Sequence, residues 1–390
     1  MRLSTDFYDR VQARLSARLQ EARLDGLIVS APGDVAYLTG FFYAVNERPV
    51  YVWFGADGRR VALVPELDAE YALAQGVHAD VRTYFEYPGV RTPEWHLADA
   101  LNSARARARI GFSASLTVAG LARLQDAFPD AVFERSAMVG DLRLRKEPEE
   151  IGLHREAAAI CDDMLGAGRA LIESAISEGR LLPTEGEVAR HVVGYGTDRM
   201  YTDYSHVVYT TKLAGGLVYA GLNSARPHGL PSSRRIEAGD TLILSLGAAV
   251  ASRFVESERT FVIGEPTAEQ RMYFDVARRA QNVGTAAMQV GRTCASVNAE
   301  SLDVIRGAGC GQFIRHRLGH GIGIGQHEAP WLEDGDDTVL ASGMILSSEP
   351  GVYVPGHAGY RISDTVLVTD DGPQRLTRYP RSIEENVIAL

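Results

Sequence analysis

Gly319-His320-Gly321-Ile322-Gly323, followed at once by His327-Glu328-Ala329-Pro330, decides how the chain is read. Two histidines sit there on a glycine-rich background. Glycine lacks a Cβ, so such a run lets backbone pass close to a bound group. It is not a phosphate cradle, because it has neither a P-loop lysine nor a strand-to-helix fingerprint. Downstream, Ser348-Glu349-Pro350-Gly351 and Gly359-Tyr-Arg361-Ile-Ser363-Asp364-Thr365 place further charged groups in short apolar runs. Upstream lie His228, after Arg226-Pro227, and the strand-like segment Phe254-Val-Glu256-Ser-Glu258-Arg259-Thr260, whose alternation sets Glu256, Glu258 and Thr260 on one face. An isolated Glu-x-Glu pair is usually a solvated strand edge; here it belongs to a set of acidic and imidazole groups able to hold divalent ions or move protons.

The surrounding chain frames that set. With 390 residues, 45% of them apolar and 23% charged, two domains are expected. Forty basic residues against 50 acidic ones give a net charge of -10, without a basic block to track a phosphate backbone, so nucleic acid is an unlikely partner class. Cys161, Cys294 and Cys310 are too few and too scattered for a disulfide framework and read as small buried residues in a reducing compartment. The segment 1–23 mixes charged and apolar residues at helical spacing, so neither a signal peptide nor a membrane span is expected and the cytoplasm is the expected location.

Periodicity predicts a helix over Phe7–Arg23, a strand over Gly26–Ser30, a turn at Pro32-Gly33-Asp34 and a hairpin from Val50–Phe54 and Arg60–Val64. Helix and strand signals alternate to about Asp141, which predicts a small α/β domain over 1–141 and a second domain over 142–390, beginning at Arg143-Leu-Arg-Lys-Glu-Pro. In the second, helices are expected at Ile151–Ser177, Glu269–Met288 and Ala295–Gly307, and strands at Val207–Thr210, Thr241–Leu246, Arg253–Ile263, Met344–Ser348 and Thr365–Val368.

These motifs, in this order, resemble the pita-bread family of methionine aminopeptidase, Xaa-Pro aminopeptidase, prolidase and the metal-free hydrolase creatinase. The resemblance implies an α+β fold: an N-terminal creatinase-type α/β domain followed by a pita-bread catalytic domain. It also maps a dinuclear metal site onto this chain. Where the family reads Gly-Asp-x-x-x-x-Asp-x-Gly, Gly239-Asp240 leads to Ser245-Leu-Gly247, which puts a serine at the first ligand position. The second aspartate matches Glu256, the histidine ligand His320 and the first glutamate Glu349. The final bridging glutamate is replaced by Ser363. Two lost carboxylates leave too little negative charge for a pair of divalent ions.

The metal-free branch, creatinase and ectoine hydrolase, therefore sets the main expectation: no metal, and hydrolysis of a C–N bond in a small carboxylate-bearing amidine, guanidine or cyclic amide. The resemblance gives His228 the acid/base role. It makes Glu258 and Glu349 holders of substrate N–H groups and lets Arg48 of a homodimer grip a substrate carboxylate in the neighbouring pocket. Glu256 and His320 join the catalytic set, with Glu256 also open to a nucleophilic role, while His327 and Arg361 contact substrate. His327 departs from creatinase, which has an arginine there. The alternative is a metal-dependent Xaa-Pro dipeptidase or aminopeptidase with one divalent ion, such as manganese or zinc, at Glu256, His320 and Glu349. A second alternative is a non-catalytic pita-bread module that binds peptides.

Overall fold

The computed structural model describes residues 2–86, 89–101 and 107–390. They form two compact units, Arg2–Arg143 with Val208–Thr210, and Leu144–Val207 with Thr211–Leu390.

The first unit is built on a six-stranded sheet in the order Asp80–Tyr84, Arg60–Pro65, Tyr51–Gly55, Gly26–Val29, Arg109–Ser113, Val132–Ser136. Its opening helix, Thr5–Glu21, starts where the Ser4 hydroxyl accepts a hydrogen bond from the Phe7 N–H. Phe7, Val11, Leu15 and Leu19 form its buried stripe, one residue per turn. The hairpin pairs Trp53 with Val61, and both join the core with Ile28, Leu63 and Leu97. One local expectation changes: Pro32 opens a helix, Pro32–Thr39, instead of a turn. Proline at the first helical position forfeits no hydrogen bond, and Gly40 at φ 71° closes the helix in the left-handed conformation.

The second unit carries two sheets and a strand pair. One sheet runs Val387–Ile388, Arg253–Ile263, Thr241–Val250, Ala214–Ala220, and the other Glu328–Leu332, Gly319–Gly321, Ile345–Ser348, Asp364–Thr369, Gly372–Arg375. Gly351–Val354 pairs with Ala358–Arg361. The strand expected at Val207–Thr210 is irregular backbone, and the real strand is Ala214–Ala220. β-branched residues raised the strand propensity of the former and two glycines masked the latter. Gly216 is set by packing, since a Cβ there would meet Leu246 at 3.0 Å and Val192 at 3.1 Å.

Helices Pro148–Ser177, Glu185–Asp203, Ala268–Ala287 and Cys294–Gly307 complete the unit, and the first three start with reciprocal capping boxes at Glu147, Thr184 and Thr267. Ser363 and Glu258 exchange backbone bonds of 3.1 and 3.0 Å, and the Glu256 N–H donates to Thr365 Oγ1 at 3.0 Å. The two sheets are thereby stitched at the middle of the Arg253–Ile263 strand. Beneath the seam Arg259 and Asp364, both fully buried, pair at 2.8 Å. This is the α+β architecture expected of the pita-bread family. Among the described residues no helix is long and apolar enough to cross a membrane, and all three cysteines are free and buried.

Candidate metal centre and active site

The glycines of the opening motif serve strand packing more than ligand access. A Cβ on Gly319 would overlap the Ser347 carbonyl, and one on Gly321 would overlap the Ala329 carbonyl. Close approach seats the Gly319–Gly321 strand between Glu328–Leu332 and Ile345–Ser348. His320 is thus held at the seam, 1% exposed, with its backbone N–H donating to Ser347 Oγ at 2.9 Å.

Its ring is oriented as a ligand's would be. Nδ1 lies 3.0 Å from the Gly321 carbonyl, which can only accept, so Nδ1 carries the proton. Nε2 is buried and has no aligned hydrogen-bond partner among the described residues, yet it lies 3.1 Å from Glu349 Oε1 and 3.8 Å from Glu256 Oε2. A backbone carbonyl on one nitrogen, which leaves the other to coordinate once its proton is lost, is the usual arrangement of a metal-binding imidazole. His327 stands against it, ring centroids 3.9 Å apart, and atoms of Glu256, His320 and His327 come within 4.8 Å of one another. Two hard carboxylates and one or two imidazoles suit a single divalent ion of the manganese, cobalt or zinc type.

The electrostatics of this half are those of ligands pressed together. Burial, reinforced by Glu349, pushes Glu256 up to about 8. Burial would lower His320, but Glu256 and Glu349 outweigh it and lift the imidazole to about 9. For Glu349 burial acts upward, and contact with His320 prevails to hold it at about 2. His327 falls to about 4 through burial and the charge of His320.

The other half is arranged differently. Ser245 faces Glu258 across the strand pair and donates its hydroxyl to Glu258 Oε1. Arg361 Nε lies 2.6 Å from Glu258 Oε2, an ion pair without hydrogen-bond alignment, and both side chains are about 5% exposed or less. Burial raises Glu258 against the pull of Arg361, while Glu258 holds the guanidinium charged against the effect of burial. Ser363 Oγ donates to Glu256 Oε1 at 3.2 Å. Two serines and a carboxylate already engaged with a guanidinium do not form a site for a second ion.

Of the residues singled out in the sequence, Glu256, Glu258, His320, His327, Glu349 and Arg361 converge here. His228 is exposed on the loop after the short helical turn Gly221–Ala225, close enough for its charge to bear on His316 and His327. Arg48 belongs to the first unit, where it pairs with Glu47 and, at 3.1 Å, with Glu86. Three supporting groups were not among the residues singled out. Lys146, 2% exposed at its side chain, donates to Glu328 Oε1 at 3.0 Å and so anchors the turn that bears His327. Ser347 Oγ reaches Glu349 Oε1 at 3.3 Å as well as the His320 N–H. His316 Nε2 lies 2.8 Å from the Tyr353 hydroxyl. Only Lys146 left a signal, a charged residue in the segment read as the start of the second domain.

The comparisons with known proteins bear on the same site. Residues 152–370 match Metallopeptidase family M24, and residues 12–144 match the Creatinase/Prolidase N-terminal domain. An Xaa-Pro dipeptidase of Pyrococcus furiosus is 35% identical over 375 residues, covering 94% of this chain and 97% of that protein. An Xaa-Pro dipeptidase of Lactobacillus delbrueckii subsp. lactis is 30% identical over 384 residues, covering 95% and 97%. The solved Xaa-Pro dipeptidase from Bacillus anthracis superposes with a TM-score of 0.82 at 28% identity, covering 96% of this chain and 99% of that one.

Two expectations are corrected by these findings. The metal-independent, creatinase-like C–N hydrolase and the absence of any metal cofactor both gave the two serine replacements too much weight. Relatives spanning the chain are named for Xaa-Pro dipeptide hydrolysis, and a Glu/His cluster with ligand geometry remains beside the serines. The chain is a hydrolase, and it belongs to metallopeptidase family M24.

Proposed function

We propose that the chain is a metal-dependent dipeptidase that cleaves Xaa-Pro dipeptides, with one divalent ion held by Glu256 and His320 and completed by Glu349 and His327. The observation that carries this reading is the buried His320 Nε2, without an aligned hydrogen bond and set 3.1 Å from Glu349 Oε1 and 3.8 Å from Glu256 Oε2. The substrate class is drawn from the relatives named above. An ion bound there supplies Lewis acidity toward the scissile carbonyl and an acidified water.

The side chains do the rest. Glu256, held neutral near pH 7 by burial, is set to give up its proton as it becomes a ligand, while Glu349 is already ionised. His228, exposed at the mouth and within electrostatic reach of His327, protonates the leaving proline nitrogen, a tertiary amide nitrogen that departs poorly as an anion. Lys146, through Glu328, keeps the His327 turn in place. The reading includes a cytoplasmic homodimer in which Arg48 exchanges its exposed carboxylate partners, Glu47 and Glu86, for the carboxylate of a dipeptide.

The test is hydrolysis of a panel of Xaa-Pro and Pro-Xaa dipeptides by protein stripped of metal and reloaded with Mn2+, Co2+ or Zn2+. Turnover of Xaa-Pro dipeptides that requires added ion is expected. Equal turnover by the stripped protein, or none with any ion, overturns the proposal.

A further inference from the structure

We infer that the Arg361 guanidinium is a built-in cation occupying the half of the pocket opposite the ion, so that the chain takes one divalent ion and no second. The inference rests on the function proposed above and deepens it. Among the described residues Glu258 is the carboxylate that faces Ser245 on that side of the strand pair, and both of its oxygens are engaged: Oε1 by the Ser245 hydroxyl and Oε2 by Arg361 Nε at 2.6 Å. The positions flanking it, Ser245 across the strand and Ser363 across the sheet seam, present hydroxyls where charged ligands would be needed.

Arg361 has no easy way out. It is 3% exposed, lies at the end of the Ala358–Arg361 strand, and has its guanidinium 6.0 Å from the centre of the Tyr219 ring, a face that favours a cation. Its backbone N–H donates to Thr260 Oγ1 at 2.9 Å, and its carbonyl accepts from the same hydroxyl at 2.8 Å. A second ion would have to displace a fixed buried charge and repel it at contact distance. Glu256 marks the border between the halves: Oε1 accepts from Ser363, and Oε2 faces His320. One oxygen of Glu256 is therefore turned toward a hydroxyl.

The experiment is Mn2+ titration of the metal-stripped wild-type chain, read by isothermal calorimetry, by metal analysis after gel filtration and by electron paramagnetic resonance, with anomalous diffraction locating the ion. Saturation at one ion per chain, the spectrum of an isolated Mn2+, and anomalous density beside His320 are expected. Two ions per chain with a spin-coupled spectrum, or density between Ser245 and Ser363, overturns the inference while leaving the proposed function standing. No bound ion at millimolar Mn2+ removes the proposed function, and the inference with it. The triple variant Ser245→Asp/Ser363→Glu/Arg361→Met, checked for folding by circular dichroism, is expected to raise the stoichiometry to two. A folded triple variant that still binds one ion shows that Arg361 and the serines are not what excludes the second, and overturns the inference.

Discussion

Glu256 and Glu258 stand two residues apart on the same face of one strand, equally buried, and have opposite fates. Glu256 faces Gly247, with no side chain across from it, and leans toward the His320 Nε2, which makes no aligned hydrogen bond. Glu258 faces Ser245 and is closed by a hydroxyl and a guanidinium. Residue type does not separate a ligand from a structural ion pair here; the cross-strand neighbour and the strand beyond it do. An uncompensated buried carboxylate stays neutral until a cation arrives, whereas a compensated one has its cation for good.

The widest consequence of this contrast is in pH. Glu256 at about 8 and His320 at about 9 both carry protons at neutral pH that must leave before either can bind metal. Ion affinity is therefore expected to rise with pH, by up to about 100-fold per unit below pH 8, two protons being released for each ion taken up. It should level off above about pH 9. The Glu258 and Arg361 side contributes nothing to the slope, because it exchanges no proton with the ion. Calorimetry of Mn2+ binding in buffers of different ionisation enthalpy counts the protons directly, and release of none at pH 7 would refute the assignment of Glu256 as the neutral member of the pair.

In stability the contrast reverses. Glu258→Gln leaves Arg361 buried without a counter-charge and is expected to cost about 3–5 kcal/mol, as is Arg361→Met, which strands Glu258. The double variant removes both charges and should recover most of that loss. Glu256→Gln replaces a carboxyl that is already neutral and should unfold close to wild type in the absence of metal. Urea unfolding of the wild type and the four variants, all metal-stripped, closes the cycle and sets Glu256→Gln beside it; a Glu258→Gln chain as stable as Glu256→Gln would erase the distinction between the two glutamates.

The same contrast explains what could be read from the chain beforehand. Helix periodicity, a local signal, marked Pro148–Ser177, Ala268–Ala287 and Cys294–Gly307 in the second unit, while Glu185–Asp203 was not read as a helix. Ala214–Ala220 escaped notice in part because Gly216 answers to Leu246 and Val192, residues that no local window contains. The members of the site were visible through motif resemblance, but their partners were not. Arg361 with Glu258, and Lys146 with Glu328, meet only when segments far apart in sequence are brought together. The identity of Ser245 and Ser363 was plain, and its weight was misjudged: two absent carboxylates argue against two ions and say little about one.

The smallest effect tests the border itself. Ser363 Oγ is the donor that ties Glu256 Oε1 to the closed half of the pocket, at 3.2 Å. A hydrogen bond of this kind contributes about 1 kcal/mol and favours the ionised carboxylate, the form that binds an ion. Ser363→Ala should therefore weaken Mn2+ binding by about fivefold. The backbone bonds between residue 363 and Glu258 do not involve the hydroxyl, so the seam between the sheets stays intact. If Ser363→Ala instead tightened binding or brought in a second ion, the hydroxyl would be blocking the site and not orienting Glu256, and the division of the pocket would have to be drawn elsewhere.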